Sequence, residues 1–210
     1  QDTLYAAILR SPYPHADIEG IDVSGALTLE GVSHVVTGEQ VKQCSRPFIA
    51  GVRGQMEHYS LAVDRVRYVG EPVAVAIAKN RYIAEDALDQ INISYRQRPH
   101  VVDLDASLGA AAPILHSGIS SNLVSDRQFS YGDPIRVFGE AEHCISLKAR
   151  YPRSTCTPIE CFVVVAEYDQ SENSFDVLAN FQGPFPLHAV MSLALDVPAN
   201  KLRLRTPPHS

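Results

Sequence analysis

RVRYVGEPVAVAIAKNRYIAEDALDQINISY, residues 65–95, holds strand, helix and strand with tight connections. VAVAIA (73–78) is wholly apolar over a strand's length, which predicts a central strand buried on both faces. Gly70-Glu71-Pro72 separates it from a short strand at 66–69, since proline cannot donate to a ladder. Asn80 is placed to cap the next helix. Ile83, Ala84, Ala87 and Leu88 share one helical face, and Glu85 and Asp86 are read into its early part, where the dipole favours anions. INISY (91–95) alternates and predicts the following strand.

Toward the amino end, residues 4–9 read as a buried strand, 16–23 as an alternating one and 32–37 as a third strand. Ser24 is expected to cap a short helix over 25–29, and 38–41 to form one helical turn. Residues 44–60 have no period and read as a loop, with His58 expected in solvent. Toward the carboxyl end, 108–128 is rich in Ala, Ser and Gly and reads as a linker. Asp133 and Pro134 start a short helix, and 143–151 alternates as a strand. FVVVAEYDQSENSFDVLANFQGPFPLHAVMSLALDVPANKLRLRT (162–206) then reads strand, turn, strand, helix, strand.

Composition is ordinarily globular, with no apolar run of bilayer length and no basic-then-apolar leader at the amino terminus, so the expected compartment is the cytoplasm with no membrane partner. A net charge of −6 speaks against a nucleic-acid partner, which needs a concentrated basic surface; Arg203 and Arg205 read as a solvated face. The cysteines, Cys44, Cys144, Cys156 and Cys161, form no CxxC pair. Reduced thiols are expected, while a zinc or thiol enzyme using Cys144, Cys156 or Cys161 would need them clustered in space. Neither GxGxxG, GxxxxGK[ST] nor GxSxG occurs.

Among carboxylates, Glu71, Glu160 and Glu167 are acid–base candidates, each with a duller role in backbone bonding or at the surface. Gln182 differs. It sits in Asn180-Phe181-Gln182-Gly183-Pro184, at the carboxyl end of a strand just before a helix, where α/β architectures often bind ligands. Its amide carries donors and acceptors without charge, so it can bond a metal-bound oxygen without titrating. Gly183 beside it permits close backbone approach. The plain alternative is an amide bonding loop backbone.

Several stretches together resemble the molybdenum hydroxylases, the xanthine dehydrogenase, aldehyde oxidase and aerobic carbon monoxide dehydrogenase group. They are LYAAILRSPYPHADIEGIDVSGALTLEGVSHVVTG (4–38), YVGEPVAVAIAKNRYIAEDALDQINISYRQRPHVVD (68–103), GDPIRVFGEAEHCISLKARYPRSTCTPIECFVVVAEYD (132–169) and ANFQGPFPLHAVMSLALDVPANKLRLRTPP (179–208). The resemblance implies an α+β chain: a hammerhead α/β domain over 1–105, a linker over 106–131, and over 132–210 the incomplete start of a molybdopterin-binding domain with its first strands and helix. It implies that Gln182, with Gly183, binds the cofactor, the amide bonding the apical oxo ligand of molybdenum, and that Glu160 in Pro158-Ile159-Glu160 supports the site. No residue here is given a catalytic role.

For the intact enzyme the resemblance implies oxidative hydroxylation of a heterocycle or aldehyde, with water as the oxygen source. The implied cofactors are molybdopterin, plain or as the cytosine dinucleotide, with molybdenum, and iron–sulfur clusters and FAD on partner subunits or domains. The remainder of the large subunit is a further implied partner. The family's GGxFG loop is expected directly after Pro208, and the catalytic glutamate, most pterin contacts and the substrate pocket further on. The chain is therefore read as a truncated piece or one polypeptide of a split subunit, inactive and without molybdenum cofactor alone. The competing expectation is a self-contained scaffold or interaction domain without redox cofactor. A truncated subunit should expose apolar surface around residues 181–195; a self-contained domain should cover it.

Overall fold

The computed structural model describes residues 3–48, 56–152 and 159–207. Along them run β1 (Tyr5–Arg10), β2 (Ala16–Asp22), α1 (Ser24–Thr28), β3 (Val32–Thr37), α2 (Gly38–Cys44), β4 (Arg65–Val66), β5 (Pro72–Ala78), α3 (Arg81–Leu88), β6 (Asn92–Gln97) and α4 (Leu104–Ser107). After these come α5 (Pro134–Glu140), β7 (Val164–Asp169), β8 (Ser174–Ala179), α6 (Pro184–Ala194), a 3-10 turn (Ala199–Lys201) and β9 (Leu202–Arg205). The chain is α+β, with separate sheets ordered β1-β5-β3, β4-β2-β6 and β7-β8-β9.

The apolar run at 73–78 is the central strand of the first sheet, antiparallel to both neighbours. Val73, Ala74, Ala76 and Ala78 are fully buried. Asn80 caps α3 by accepting from the Ile83 amide at 2.9 Å. Ala84 and Ala87 of that helix are buried, and Ala87 joins Ala26, Val35, Ala74, Ala76 and Ile91 in one core cluster. Small side chains at these positions let helix and sheet approach closely.

Strand, helix and strand follow as the sequence implies, but they do not form one sheet. β6 pairs with β2 rather than beside β5, so α3 carries the chain from one sheet to the other. Val66 and Val73 pack with Ala16 and Ala62 in a second cluster between the sheets. Asp17 ties the second sheet. Its carboxylate accepts from Arg65 Nε at 2.8 Å, from Arg96 Nη2 at 2.9 Å, and from Arg98 Nε at 2.7 and 2.6 Å. Arg65 and Arg96 are its register partners on β4 and β6, so the pairs lie directly across the strands. Burial opposes ionisation of Asp17, yet the Arg98 and Arg65 hydrogen bonds and charges hold its carboxyl below the ordinary value.

Several local expectations change. Ser24 is the first residue of α1 rather than its cap; Val23 holds the cap position without a side-chain capping bond, and the Ser24 amide donates to Asp22 Oδ1. α2 extends through Cys44, and its start is held by a reciprocal capping box of Thr37 and Gln40. β4 is only two residues long. Glu85 and Asp86 lie beyond the first turn of α3, where Glu85 pairs with Arg81 at 2.7 Å instead of meeting the dipole. The 106–131 stretch is largely irregular, with the last turn of α4 at its start. Residues 143–151 form no strand, because among the described residues no other strand lies beside them to accept the ladder.

In the third sheet β8 is antiparallel to β7 and parallel to β9, with α6 crossing between the parallel pair. The His188 ring meets the Leu202 and Ala199 carbonyls through Nε2, at 2.8 and 3.1 Å, and so fixes α6 to the start of β9. Arg203 and Arg205 both pair with Asp176 on β8.

Candidate functional site

The corner between β8 and α6 is built by its neighbours. Asn180 Oδ1 accepts from the Val163 amide at 2.8 Å, and Asn180 Nδ2 donates to the Cys161 carbonyl at 2.8 Å. These bonds tie the end of β8 to the residues entering β7. Gly183 then takes φ 63 and ψ 61, the left-handed region. A Cβ there would meet nothing nearer than Pro186 Cδ at 3.8 Å, so conformation rather than space requires glycine. Pro184 opens the helix at a position where a missing amide hydrogen costs nothing.

Gln182 projects from this corner, exposed, and its amide makes no hydrogen bond among the described residues. Its donors are therefore free for a ligand, and the turn bends the backbone without a side chain in the way. Chemically, an uncharged donor exposed at a strand–helix corner is able to bond an oxygen-bearing ligand.

Glu160 is exposed at the same end of the sheet. It lines a groove of about 310 Å³ with Cys161, Val163, Val165, Leu178 and Asn180. The fold thus brings Glu160 close to Asn180 through the Asn180–Cys161 bond, while Gln182 and Gly183 do not line that groove. Glu167 faces water on β7, opposite Asp176. Glu71 is elsewhere, buried in the hammerhead-like part, where its Oε2 accepts from the Arg67 amide. Burial pushes its carboxyl above the ordinary 4.5, and the Arg67 amide and guanidinium only partly counter this. Cys44, Cys144 and Cys161 are free and exposed, whereas Cys156 lies outside the described residues. Among the described residues no group of three or more His, Cys, Asp or Glu side chains is arranged to hold a metal ion.

One feature had no signal in the sequence. A cavity of about 630 Å³ opens beneath the 56–64 segment, with His58, His116, Arg67, Glu71 and Asp64 in its wall. His58 is half-buried rather than solvated, stacked edge-on to Phe48 at 5.0 Å between centroids. Burial and then the Arg67 charge push His58 below its ordinary 6.5, and His116 likewise. Residues 58 and 116 come from separate irregular segments, so no spacing rule could have joined them.

Two family models match the chain in order. Residues 1–99 match the aldehyde oxidase and xanthine dehydrogenase a/b hammerhead domain, and residues 115–209 match the molybdopterin cofactor-binding domain. The large subunit of nicotine 6-hydroxylase from Paenarthrobacter nicotinovorans is 31% identical over 97% of this chain and 25% of its own length. The carbon monoxide dehydrogenase large chain of Hydrogenophaga pseudoflava is 29% identical, over 97% and 27%. The crystal structure of quinoline 2-oxidoreductase from Pseudomonas putida 86 superposes with a TM-score of 0.84 at 28% identity, covering 97% of this chain and 26% of that one. The chain belongs to the molybdenum hydroxylase family and fits the N-terminal part of its large subunit. It spans about a quarter of the length of these relatives.

Proposed function

We infer that these residues serve as the hammerhead domain, the linker and the opening part of the cofactor domain of a molybdenum hydroxylase large subunit. The boundaries we assign are 1–105, 106–131 and 132–210. In the assembled enzyme the reaction is oxidative hydroxylation of a heterocycle or aldehyde, with water as the oxygen source. The observation that carries this reading is the free amide of Gln182 on the β8–α6 corner, within the stretch matched to a molybdopterin cofactor-binding domain. When bound, molybdopterin with molybdenum supplies the two-electron redox chemistry. Gln182 holds it by donating a hydrogen bond from Nε2, and Gly183 keeps the corner in the left-handed turn that aims the amide outward. The cofactor is molybdopterin, plain or as the cytosine dinucleotide. Iron–sulfur and FAD-bearing subunits or domains accept the electrons.

Exposed apolar surface supports a place in a larger body. Phe185 on α6 is 87% exposed and Leu193 71%, and Val164 and Val165 of β7 lie open on opposite faces. A self-contained scaffold would cover such a surface. Free, exposed Cys44, Cys144 and Cys161 suit a reducing cytoplasm. No helix among the described residues is long and apolar enough to cross a membrane.

The test is Gln182→Ala in the assembled enzyme. Losing one preorganised hydrogen bond should lower kcat about 10²-fold and change the molybdenum paramagnetic resonance signal, with the protein still folded. Wild-type assembly without molybdenum, or an unchanged signal and rate in the variant, overturns the reading.

A further inference from the structure

Residues 143–151 carry the period of a strand and have no strand beside them. Ile145, Leu147 and Tyr151 alternate with Ser146, Lys148 and Arg150, and the three apolar side chains are 93%, 89% and 90% exposed. Among the described residues no backbone hydrogen bond joins this segment to another. Removing large apolar side chains from water is favourable, so the alternation has a use only if something packs against it.

We propose that residues 145–151 become a strand on assembly, paired with a strand supplied by the large-subunit polypeptide outside these 210 residues. Ile145, Leu147 and Tyr151 are then buried, and Lys148 and Arg150 face outward. This rests on the large-subunit reading above. The relatives' length favours that occupant, since about three-quarters of a large subunit lies outside the matched region. Within the chain β7 lies at one edge of its sheet, yet among the described residues the two segments do not pair. A second copy is disfavoured by charge. An antiparallel self-pair about Lys148 or Ala149 sets Lys148 against Lys148 or Arg150, and like charges directly opposite destabilise a ladder.

Hydrogen exchange of the 145–151 amides tests this, measured on the chain alone and within the assembled large subunit. The expected result is fast exchange in the chain alone and about 100-fold or greater slowing in the assembly. Leu147→Asp, at a site already in water, should leave the chain's own fold intact and lower the assembly yield, while Lys148→Asp should not. Assembly with molybdenum bound and fast exchange at 145–151 overturns this inference and leaves the functional reading standing. Slow exchange in the chain alone also overturns it: independence of concentration means pairing within the chain, and dependence means a second copy. Failure of the chain to assemble at all overturns the functional reading and this inference with it.

Discussion

At Gly38, the first residue of α2, an added Cβ would stand 1.9 Å from the Ala62 carbonyl oxygen and 2.9 Å from Val63 Cα. Both neighbours are backbone, which cannot swing aside. Gly38→Ala should therefore displace the 56–64 segment and cost about 2–4 kcal/mol, read as a lower denaturant midpoint and weaker packing around Leu61 and Ala62. Asp17 makes the opposite kind of claim, through charge. Asp17→Asn leaves Arg65 and Arg98 without a carboxylate, while Arg96 keeps Glu19, and should cost about 2–3 kcal/mol. The Asp17 carboxyl is held below its ordinary 3.8, so its contribution is complete above that value and is lost as pH falls through the lower folded one.

Glu71 has the reverse sign. Its carboxyl is raised above 4.5, so the folded state binds a proton more readily than the unfolded chain. Stability therefore falls as pH rises from about that value through the folded one. Glu71→Gln keeps an acceptor for the Arg67 amide and removes the charge. The variant should lose this part of the pH dependence and gain stability at pH 7, measured by urea titrations at pH 4 and pH 7. An unchanged pH profile would show that Glu71 stays solvated enough to ionise freely.

At the scale of elements, what could be read from sequence followed the local physics. The apolar run at 73–78, the Asn80 cap and the Asp133–Pro134 start concern neighbouring residues, and each formed where expected. The order from β7 to β9 was readable for the same reason, since its turns lie in the chain between them. Sheet membership was not. Whether β6 joins β5 or β2 depends on long-range register, and the alternation of INISY is the same in either sheet. The 143–151 segment shows the limit from the other side, because alternation states which face wants burial and not whether a partner is present. Gln182 and Gly183 were legible as a corner, since strand-end position and a glycine before proline are local signals. The half-burial of His58 beside His116 was not, because it depends on two irregular segments meeting.

At the scale of the molecule, Arg46, just after α2, reaches the end of α6. The Arg46 amide donates to the Ala194 carbonyl at 2.7 Å, and the Arg46 guanidinium pairs with Asp196 at 2.7 Å, both partners at the C-terminal end of α6. The pair is more than half exposed on each side, so it adds little stability.

The central place of β5 sets a schedule for synthesis. Tyr5 of β1 pairs with Ala78, and Val32 of β3 pairs with the same residue from the other side. Both flanking strands leave the ribosome before the strand that joins them exists. At about 5–20 residues per second, β1 waits several seconds for its partner. Throughout that interval Ile8, Leu9, Val35 and Val36 have no ladder to enter, which makes the nascent hammerhead region a natural client for a chaperone acting during translation.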